Sequence, residues 1–288
     1  MKPVIEVKDF SFYYRGNDHP ALSNLNFSVA QGSFVCLVGE SGAGKSTLCH
    51  ALVGLIPHYF TGSVNGSVEV FGDNAADSSI AELSQNIGLV FQNPFNQLSY
   101  TAGTVAEELA YGLGNHGIPR LEMKERVQKV AHIMHIEDLL EQNPLMLSGG
   151  QVQRVAFGST FILEPKILVL DECTSQLDPL GSAQIFDIVK QLNSTGITIV
   201  MVDNDMTEVA RCADRVLVLH QGKIAMEGSP VKVFTDPRLK TYGVDPPDYV
   251  DICTGLIDSG VNISRIEITE TPTVNAVKHA LARGGEAL

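Results

Sequence analysis

A glycine-rich segment, GESGAGKS from Gly39 to Ser46, carries the residue types needed to hold a chain of phosphates. It fits the pattern G-x-x-x-x-G-K-[S/T] in full, in which glycines let successive N–H groups point into one anion site. In that pattern Lys45 adds a positive charge for the β- and γ-phosphates of a nucleotide, and Ser46 offers a hydroxyl to Mg²⁺. The residues expected around the phosphates are Gly39, Ser41, Gly42, Ala43, Gly44, Lys45, Ser46 and Thr47.

Two adjacent carboxylates, Asp171 and Glu172, follow the apolar run Ile167–Leu170. Acids at the end of a buried strand are costly unless they meet a cation. A Mg²⁺ ion held by Ser46 and the phosphates would meet that need at Asp171, directly or through water. Glu172 is then free to orient or deprotonate an attacking water molecule. The alternative, a merely solvated acid pair, is disfavoured by the phosphate-loop pattern earlier in the chain.

The segments around these residues alternate between short apolar runs and helical patterns, which is typical of an α/β fold. Apolar runs without alternation predict strands that are buried on both faces of a largely parallel sheet. The predicted strands are Val4–Val7, Phe34–Val38, Ile87–Val90, Ile167–Leu170, Ile197–Val202 and Val216–Leu219. A helix over Leu48–Ile56 is expected directly after the glycine-rich turn.

The stretch from about 94 to 165 has a different pattern, without a convincing strand. Apolar residues at i, i+3, i+4 and i+7 between Val127 and Met134 predict an amphipathic helix there. A proline-rich break follows the last predicted strand, and short helical patterns follow the break. We therefore expect a nucleotide-binding domain over 1–235, with a helical subdomain at about 94–165, and a helical extension over 236–288.

Composition restricts the partners of the chain. Over 288 residues the net charge is −13, which argues against non-specific binding to nucleic acid or to anionic lipid, because both need a basic face. The five cysteines form no CxxC pair and are expected to be reduced thiols that pack as small hydrophobes. No signal-peptide pattern and no run of 18 apolar residues occurs, so we expect any membrane-spanning part to belong to other chains.

A second glycine-rich turn, LSGGQ at Leu147–Gln151, distinguishes between the classes of phosphate-loop protein. Ser148 is a typical N-cap residue, and Gly149 and Gly150 allow backbone to approach a ligand closely, so a second anion-facing helix start is expected. The motif lies twenty residues before the Asp-Glu pair and far downstream of the phosphate loop. With this arrangement, the chain resembles ABC ATPases over Val4–Phe234.

The resemblance implies an ABC nucleotide-binding fold of the P-loop NTPase class, which binds ATP with Mg²⁺ and hydrolyses it by in-line attack of water. It also implies a head-to-tail dimer in which two ATP molecules lie between the subunits. By the same resemblance, Gln92 in FQNP senses Mg²⁺ and contacts a membrane partner, and Tyr14 (or Tyr13) stacks on adenine. The residues implied at the dimer interface are Asp178 and, closing over the other subunit's ATP, Ser148, Gly149, Gly150 and Gln151.

One position departs from the family pattern. Asn204, in Asp203-Asn204-Asp205, stands where the family normally has a histidine. An amide can hydrogen-bond a γ-phosphate but carries no positive charge. Without that charge, the transition state of hydrolysis is expected to lose about 1 kcal/mol of stabilisation, which is about five- to tenfold in rate. Our hypothesis is that the chain pairs with a different ATPase, which gives two unequal sites; the alternative is a homodimer that tolerates asparagine.

Within the family, the chain is most similar to the energy-coupling factor type, which powers vitamin and transition-metal uptake. The similarity lies in FQNPFNQLSYTAGTVAEELAYGLGN and in the tail segment YGVDPPDYVDICTGLIDSGVNI. It implies an integral membrane coupling subunit, a membrane substrate-binding component and a peripheral location at the cytoplasmic face of the cell membrane. The acidic composition suits a partner that docks through arginine-bearing helices. A different importer ATPase and a soluble non-transport ABC ATPase are the alternatives.

Overall fold

The computed structural model describes residues 3–261, 263 and 265–284. Within these residues, ten strands form two sheets. The strands are β1 Pro3–Tyr14, β2 Leu22–Ala30, β3 Phe34–Val38, β4 Gly62–Val70, β5 Asp73–Asn74, β6 Ile87–Val90, β7 Ile167–Asp171, β8 Thr198–Val202, β9 Arg215–His220 and β10 Lys223–Gly228.

The larger sheet has six strands in the order β10-β9-β3-β8-β7-β6, and all its pairs are parallel except β10 with β9. Its centre is buried on both faces. In β3, for example, Cys36 packs into one buried apolar cluster while its neighbours Val35 and Leu37 pack into the other. Successive side chains of a strand alternate between faces, so a strand with an apolar cluster on each side is apolar at every position. The α/β class and the central strands expected from the sequence are confirmed.

A second, four-stranded antiparallel sheet has the order β2-β1-β4-β5. It shares its buried apolar cluster with β3 and with the helix that follows the phosphate loop. From the sequence, only the first residues of β1 were predicted as a strand, and none of β2, β4 and β10. Buried residues alternate with more exposed ones along most of β2, and most positions of β4 and β10 are exposed or half-buried, so none of these strands has the continuously buried apolar run used for prediction.

Eleven α-helices occur in the described residues. They are α1 Lys45–Leu52, α2 Leu55–His58, α3 Ile80–Leu83, α4 Val105–Asn115, α5 Arg120–Met134, α6 Gly149–Phe161, α7 Pro179–Ser194, α8 Met206–Cys212, α9 Pro230–Phe234, α10 Asp248–Asp258 and α11 Glu270–Gly284. Short 3₁₀ helices lie at Pro94–Asn96, Glu137–Leu139, Pro144–Met146 and Leu239–Tyr242. The helix expected over Leu48–Ile56 begins earlier, at Lys45, and α1 ends before the left-handed Gly54.

Between β6 and β7 the chain forms only helices, and α4, α5 and α6 pack against one another through residues such as Leu109, Val130 and Met134. The C-terminal segment packs near β9 instead, since the 3₁₀ helix Leu239–Tyr242 contacts that strand and Val244 and Val250 belong to the buried cluster that contains Val216 and Val218. The division of the chain into domains at residue 235 stays a prediction. Residues 1–2 of the first predicted domain and residues 262, 264 and 285–288 of the second lie outside the described residues.

The five cysteines are free and buried, and burial raises the pKa of Cys36 and Cys49 well above its usual range. None of the helices in the described part of the chain combines the length and the apolar content needed to cross a bilayer.

Candidate functional site

The phosphate-loop segment connects β3 to α1 and is shaped by glycines. Gly39, Gly42 and Gly44 have φ angles of 154°, 80° and 105°. A Cβ atom at Gly39 would lie 2.2 Å from the carbonyl oxygen of Leu219, and one at Gly44 would lie 2.7 Å from that of Ala21. Both the φ angles and the close backbone therefore require glycine here. α1 begins without a side-chain cap, so its first N–H groups face the loop and remain available to an anion.

Lys45 is the first residue of α1, and its side chain turns back over the loop. Its Nζ donates to the carbonyl oxygens of Gly39 at 2.8 Å and Glu40 at 3.1 Å. The same ammonium lies 3.6 Å from Oε1 of Glu172 and is only 6% exposed. A buried ammonium needs such oxygen partners to offset its lost hydration.

Asp171 is the last residue of β7 and meets the phosphate-loop segment through Ser46. The Ser46 hydroxyl donates to Oδ1 of Asp171 at 3.1 Å. Burial raises the pKa of the Asp171 carboxyl, and the Ser46 hydrogen bond opposes that rise only in part. A hydroxyl and a buried carboxylate together form an oxygen donor set of the kind that Mg²⁺ prefers.

Glu172 follows in the left-handed conformation, with φ at 46°. Its N–H group still donates to the carbonyl oxygen of Val202 at 3.0 Å, so the chain remains attached to the sheet while the side chain leaves the strand direction. That side chain reaches Gln92, whose Nε2 donates to Oε2 of Glu172 at 2.7 Å. Left-handed non-glycine residues are uncommon and often occur at functional sites.

The parallel sheet explains why residues far apart in sequence meet here. β6, β7 and β8 end at the same edge of the sheet, and Gln92, Asp171 and Asn204 lie at or just beyond those ends. In open α/β sheets the ligand site lies outside the carboxyl ends of the strands. Side-chain contacts join five predicted residues in two adjacent sets: Glu172 with Lys45 and Gln92, and Asp171 with Ser46.

Asn204 is exposed and lines a cavity of about 500 Å³ together with Glu172. The residue before it, Asp203, is buried and accepts hydrogen bonds from the Thr174 hydroxyl and from the N–H of Asp205. Burial raises the pKa of Asp203 despite these bonds. The role of Asp203 in fixing this loop was not predicted from the sequence, although an acid directly after a buried strand is a recognisable signal.

The C-terminal segment supplies the far wall of the same cavity, through Asp245, Pro246, Pro247 and Asp248. Pro246 and Pro247 are buried. No sequence pattern indicated this wall, because contact between residues so distant in the chain depends on the tertiary fold.

Tyr14 lies beside the phosphate-loop segment. Its hydroxyl is 3.0 Å from Oγ1 of Thr47, and its ring packs edge-on against Phe12 with the centroids 4.8 Å apart. Tyr13 precedes it on the opposite face of β1, because neighbouring strand residues point to opposite sides. Of the two tyrosines considered, Tyr14 is therefore the one next to the loop, and its stacking on adenine stays a prediction.

The predicted signature residues form a separate cluster. α6, the signature helix, begins after Ser148, whose N–H donates to Oε1 of Gln151 at 2.9 Å. Asp178 caps α7 by accepting from the N–H of Gly181 at 2.7 Å. Ser148, Gly150, Gln151 and Asp178 line a cavity of about 460 Å³ that contains no residue of the phosphate loop. Gly149 is the first residue of the helix. Within one chain, the structure does not bring the two clusters together.

The sequence profile of the ABC transporter family matches residues 22–175, which include the phosphate loop, the signature turn and the carboxylate pair. The chain belongs to the ABC transporter family. As a member it is an ABC ATPase, so nucleotide binding and ATP hydrolysis follow for the chain.

Full-length relatives agree with this assignment. The chain is 42% identical over 283 residues to a putative ABC transporter ATP-binding protein of Pyrococcus horikoshii. The aligned region covers 98% of this chain and 99% of the relative. It is 36% identical over 262 residues to the energy-coupling factor transporter ATP-binding protein EcfA1 of Geobacillus kaustophilus, covering 90% of this chain and 91% of that protein.

Solved structures of ABC ATPases share the fold. CbiO1 from Clostridium perfringens, described as part of the ABC transporter complex CbiONQ, superposes with a TM-score of 0.74 at 28% identity, over 90% of this chain and all of that chain. A dimeric ATP-binding cassette bound to ADP and Pi superposes with a TM-score of 0.70 at 27% identity, over 78% of this chain and 98% of the other. The predicted P-loop NTPase fold of the ABC type is confirmed.

Proposed function

We propose that this ABC ATPase is the ATP-hydrolysing subunit of an energy-coupling factor importer, which takes up a vitamin or a transition-metal ion through separate membrane subunits. The proposed role in ATP hydrolysis is supported by the contacts of Glu172 with Lys45 and Gln92, which lie beside the Ser46–Asp171 hydrogen bond. The importer type is supported by relatives named EcfA1 at 36–37% identity.

The residues present fit Mg²⁺ together with a triphosphate. Ser46 and Asp171 would hold the ion with phosphate oxygens, and Gln92 is close enough to Glu172 to approach the same region. Bound Mg²⁺ would supply positive charge against the β- and γ-phosphates. Lys45 would exchange its carbonyl partners at Gly39 and Glu40 for phosphate oxygens.

Glu172 is the residue we propose to position the attacking water. Its two carboxylate oxygens face Lys45 and Gln92, so its orientation is fixed before substrate binds. A preorganised carboxylate can accept a proton from water or hold that water in line with the γ-phosphate.

Asn204 shares a cavity with Glu172, where its amide would donate a neutral hydrogen bond to the γ-phosphate. A neutral bond stabilises transferring charge less than an imidazolium would. We therefore propose that the chain assembles with a different ATPase subunit, whose signature helix completes this site while the signature helix of this chain completes the partner's.

For the membrane partner, we propose a groove between the core sheet and the helical segment as the docking surface. It measures about 360 Å³ and is mostly apolar. Its apolar lining includes Leu55, Leu89, Phe91, Tyr111 and Leu163. Glu108 also lines it, as a buried carboxylate that accepts from the N–H and the hydroxyl of Ser99 at 2.7 and 2.8 Å.

The occupant we infer is a short amphipathic helix carrying arginine, from an integral membrane coupling subunit. The apolar lining suits its apolar face, and the net charge of −13 suits its positive charge. This partner would hold the ATPase at the cytoplasmic face of the cell membrane, as a peripheral subunit.

The deciding experiment is affinity purification of the tagged chain in mild detergent from its own cells, followed by identification of the bound chains and assay of ATP turnover. We expect a polytopic membrane protein, a small substrate-binding membrane protein and a second ABC ATPase. Recovery of an ATP-hydrolysing soluble dimer with no membrane protein would contradict the importer proposal. Absence of ATP turnover in any assembly would contradict the catalytic one.

A further inference from the structure

The loop after β6 is closed on itself by a second glutamine, Gln97. The Oε1 atom of Gln97 accepts from the N–H of Phe91 at 3.3 Å, and the N–H of Gln97 donates to the carbonyl oxygen of Pro94 at 3.1 Å. Gln92 lies inside the closed loop. Its position relative to the sheet therefore depends on how Gln97 is held.

The other end of the Gln97 amide reaches the signature helix, α6. Its Nε2 donates to the carbonyl oxygen of Ala156 at 2.9 Å and to Oγ1 of Thr160. The Thr160 hydroxyl in turn lies 3.3 Å from the carbonyl oxygen of Leu89, in β6. One half-buried side chain thus joins the core sheet, the loop and the helix that begins at Ser148.

A route of direct contacts then runs from the signature helix to the carboxylate proposed as catalytic. Ala156 and Thr160 hold Gln97, Gln97 holds the N–H of Phe91, and the next residue, Gln92, donates to Glu172 at 2.7 Å. A displacement of α6 relative to the sheet must either move the loop or break the Gln97 bonds. Packed elements joined by hydrogen bonds can transmit such displacements between sites.

Resting on the function proposed above, we propose that Gln97 is a positioning residue that couples the placement of the signature helix to the orientation of Gln92 and Glu172. Gln97 also lines the docking groove, beside Phe91 and Thr160. A partner helix in that groove lies against the same amide. Docking, signature-helix placement and the catalytic carboxylate are therefore linked through one side chain.

Two substitutions separate the two halves of the amide. Gln97→Met removes both its acceptor and its donor at similar length. Gln97→Glu keeps an oxygen for the Phe91 N–H but removes the N–H groups that donate to Ala156 and Thr160. Because the Thr160 hydroxyl can itself donate to a carboxylate, Thr160→Val is measured alongside it. Gln142→Met is the matched control, because the exposed Gln142 side chain makes only a local contact, with the carbonyl oxygen of Asp138 at 3.4 Å.

The measurement is kcat and KM for ATP in the assembly that co-purifies with the chain, with melting temperatures recorded for every variant. Misplacement of catalytic groups by about 1 Å costs up to about a hundredfold in rate. We expect both Gln97 variants to lose between about tenfold and a hundredfold in kcat while KM stays within about twofold, because the phosphate loop is untouched. Gln142→Met should behave like the wild type.

Wild-type kcat in both Gln97→Glu and Thr160→Val would overturn the coupling to α6, because it would show that only loop closure matters. A rise in KM together with a lower melting temperature, without a loss of kcat, would also overturn it. If Gln97→Met fails to fold, Thr160→Val tests the same link from the helix side and should lower kcat with KM unchanged. An inactive wild type would contradict the proposed function, whereas an active wild type with unaffected Gln97 variants contradicts only this inference.

Discussion

Gln92 and Glu172, eighty positions apart in the sequence, meet at the carboxyl edge of the six-stranded sheet, where Nε2 of Gln92 donates to Oε2 of Glu172 at 2.7 Å. The other oxygen of the carboxylate faces Lys45 at 3.6 Å. A carboxylate held from both sides has little freedom to rotate. The orientation of the Glu172 carboxylate therefore depends on the positions of both the phosphate-loop segment and the loop after β6.

The first prediction concerns Glu172. Glu172→Gln keeps the shape of the side chain but removes the charge that accepts a proton or holds the attacking water. We expect kcat for ATP hydrolysis to fall about a hundredfold or more, while ATP binding, measured by equilibrium titration, stays within about threefold. Glu141→Gln, an exposed carboxylate on the helical segment, serves as the control. Retained turnover in Glu172→Gln would remove this residue from the catalytic role.

The second prediction concerns Asn204. Asn204→His restores a side chain that can carry positive charge in the cavity beside Glu172. A charge-assisted hydrogen bond in place of a neutral one is worth about 1 kcal/mol, so turnover of the purified assembly should rise about five- to tenfold. An unchanged or lower rate would show that asparagine is no handicap in this cavity.

The residues of the site that sequence reasoning found are those in contiguous motifs, such as the loop from Gly39 to Thr47. Gln97 was missed because its partners Ala156 and Thr160 lie 59 and 63 positions away, and no local pattern records such a contact. The same physics applies to the fold. The strand β3 was found because both its faces are buried, whereas β4, with exposed glycine and serine positions, was not.

The third prediction concerns Tyr14 and the base of the nucleotide. Stacking of a base on an aromatic ring is worth about 1–3 kcal/mol by alanine substitution. Tyr14→Ala should therefore raise the Kd for ATP by about 5- to 150-fold. Tyr14→Phe, which loses only the hydroxyl contact with Thr47, should stay close to the wild type. Tyr13→Ala is the matched control on the opposite face of the strand. A larger effect at Tyr13 than at Tyr14 would reverse the assignment.

The fourth prediction links stability to function through Asp171. Burial raises the pKa of this carboxyl above its ordinary value of 3.8, so the folded state binds its proton more tightly than the unfolded state does. Its contribution to the free energy of unfolding therefore falls as the pH rises from the unfolded pKa through the folded pKa. Asp171→Asn removes that pH-dependent loss and should raise the melting temperature of the nucleotide-free protein at pH 7.

The gain should vanish below the unfolded pKa, where Asp171 is protonated in both states and resembles the amide. With Mg²⁺ and ATP present, the wild type should have the higher melting temperature. Ligand binding stabilises the protein that binds it, and the variant lacks the carboxylate proposed to meet the ion. Thermal melts at pH 7 and at low pH, with and without Mg²⁺ and ATP, measure all these differences. Asp18→Asn, at an exposed aspartate, is the control for the substitution itself. A variant less stable than the wild type without nucleotide, or stabilised equally by it, would contradict the role given to Asp171.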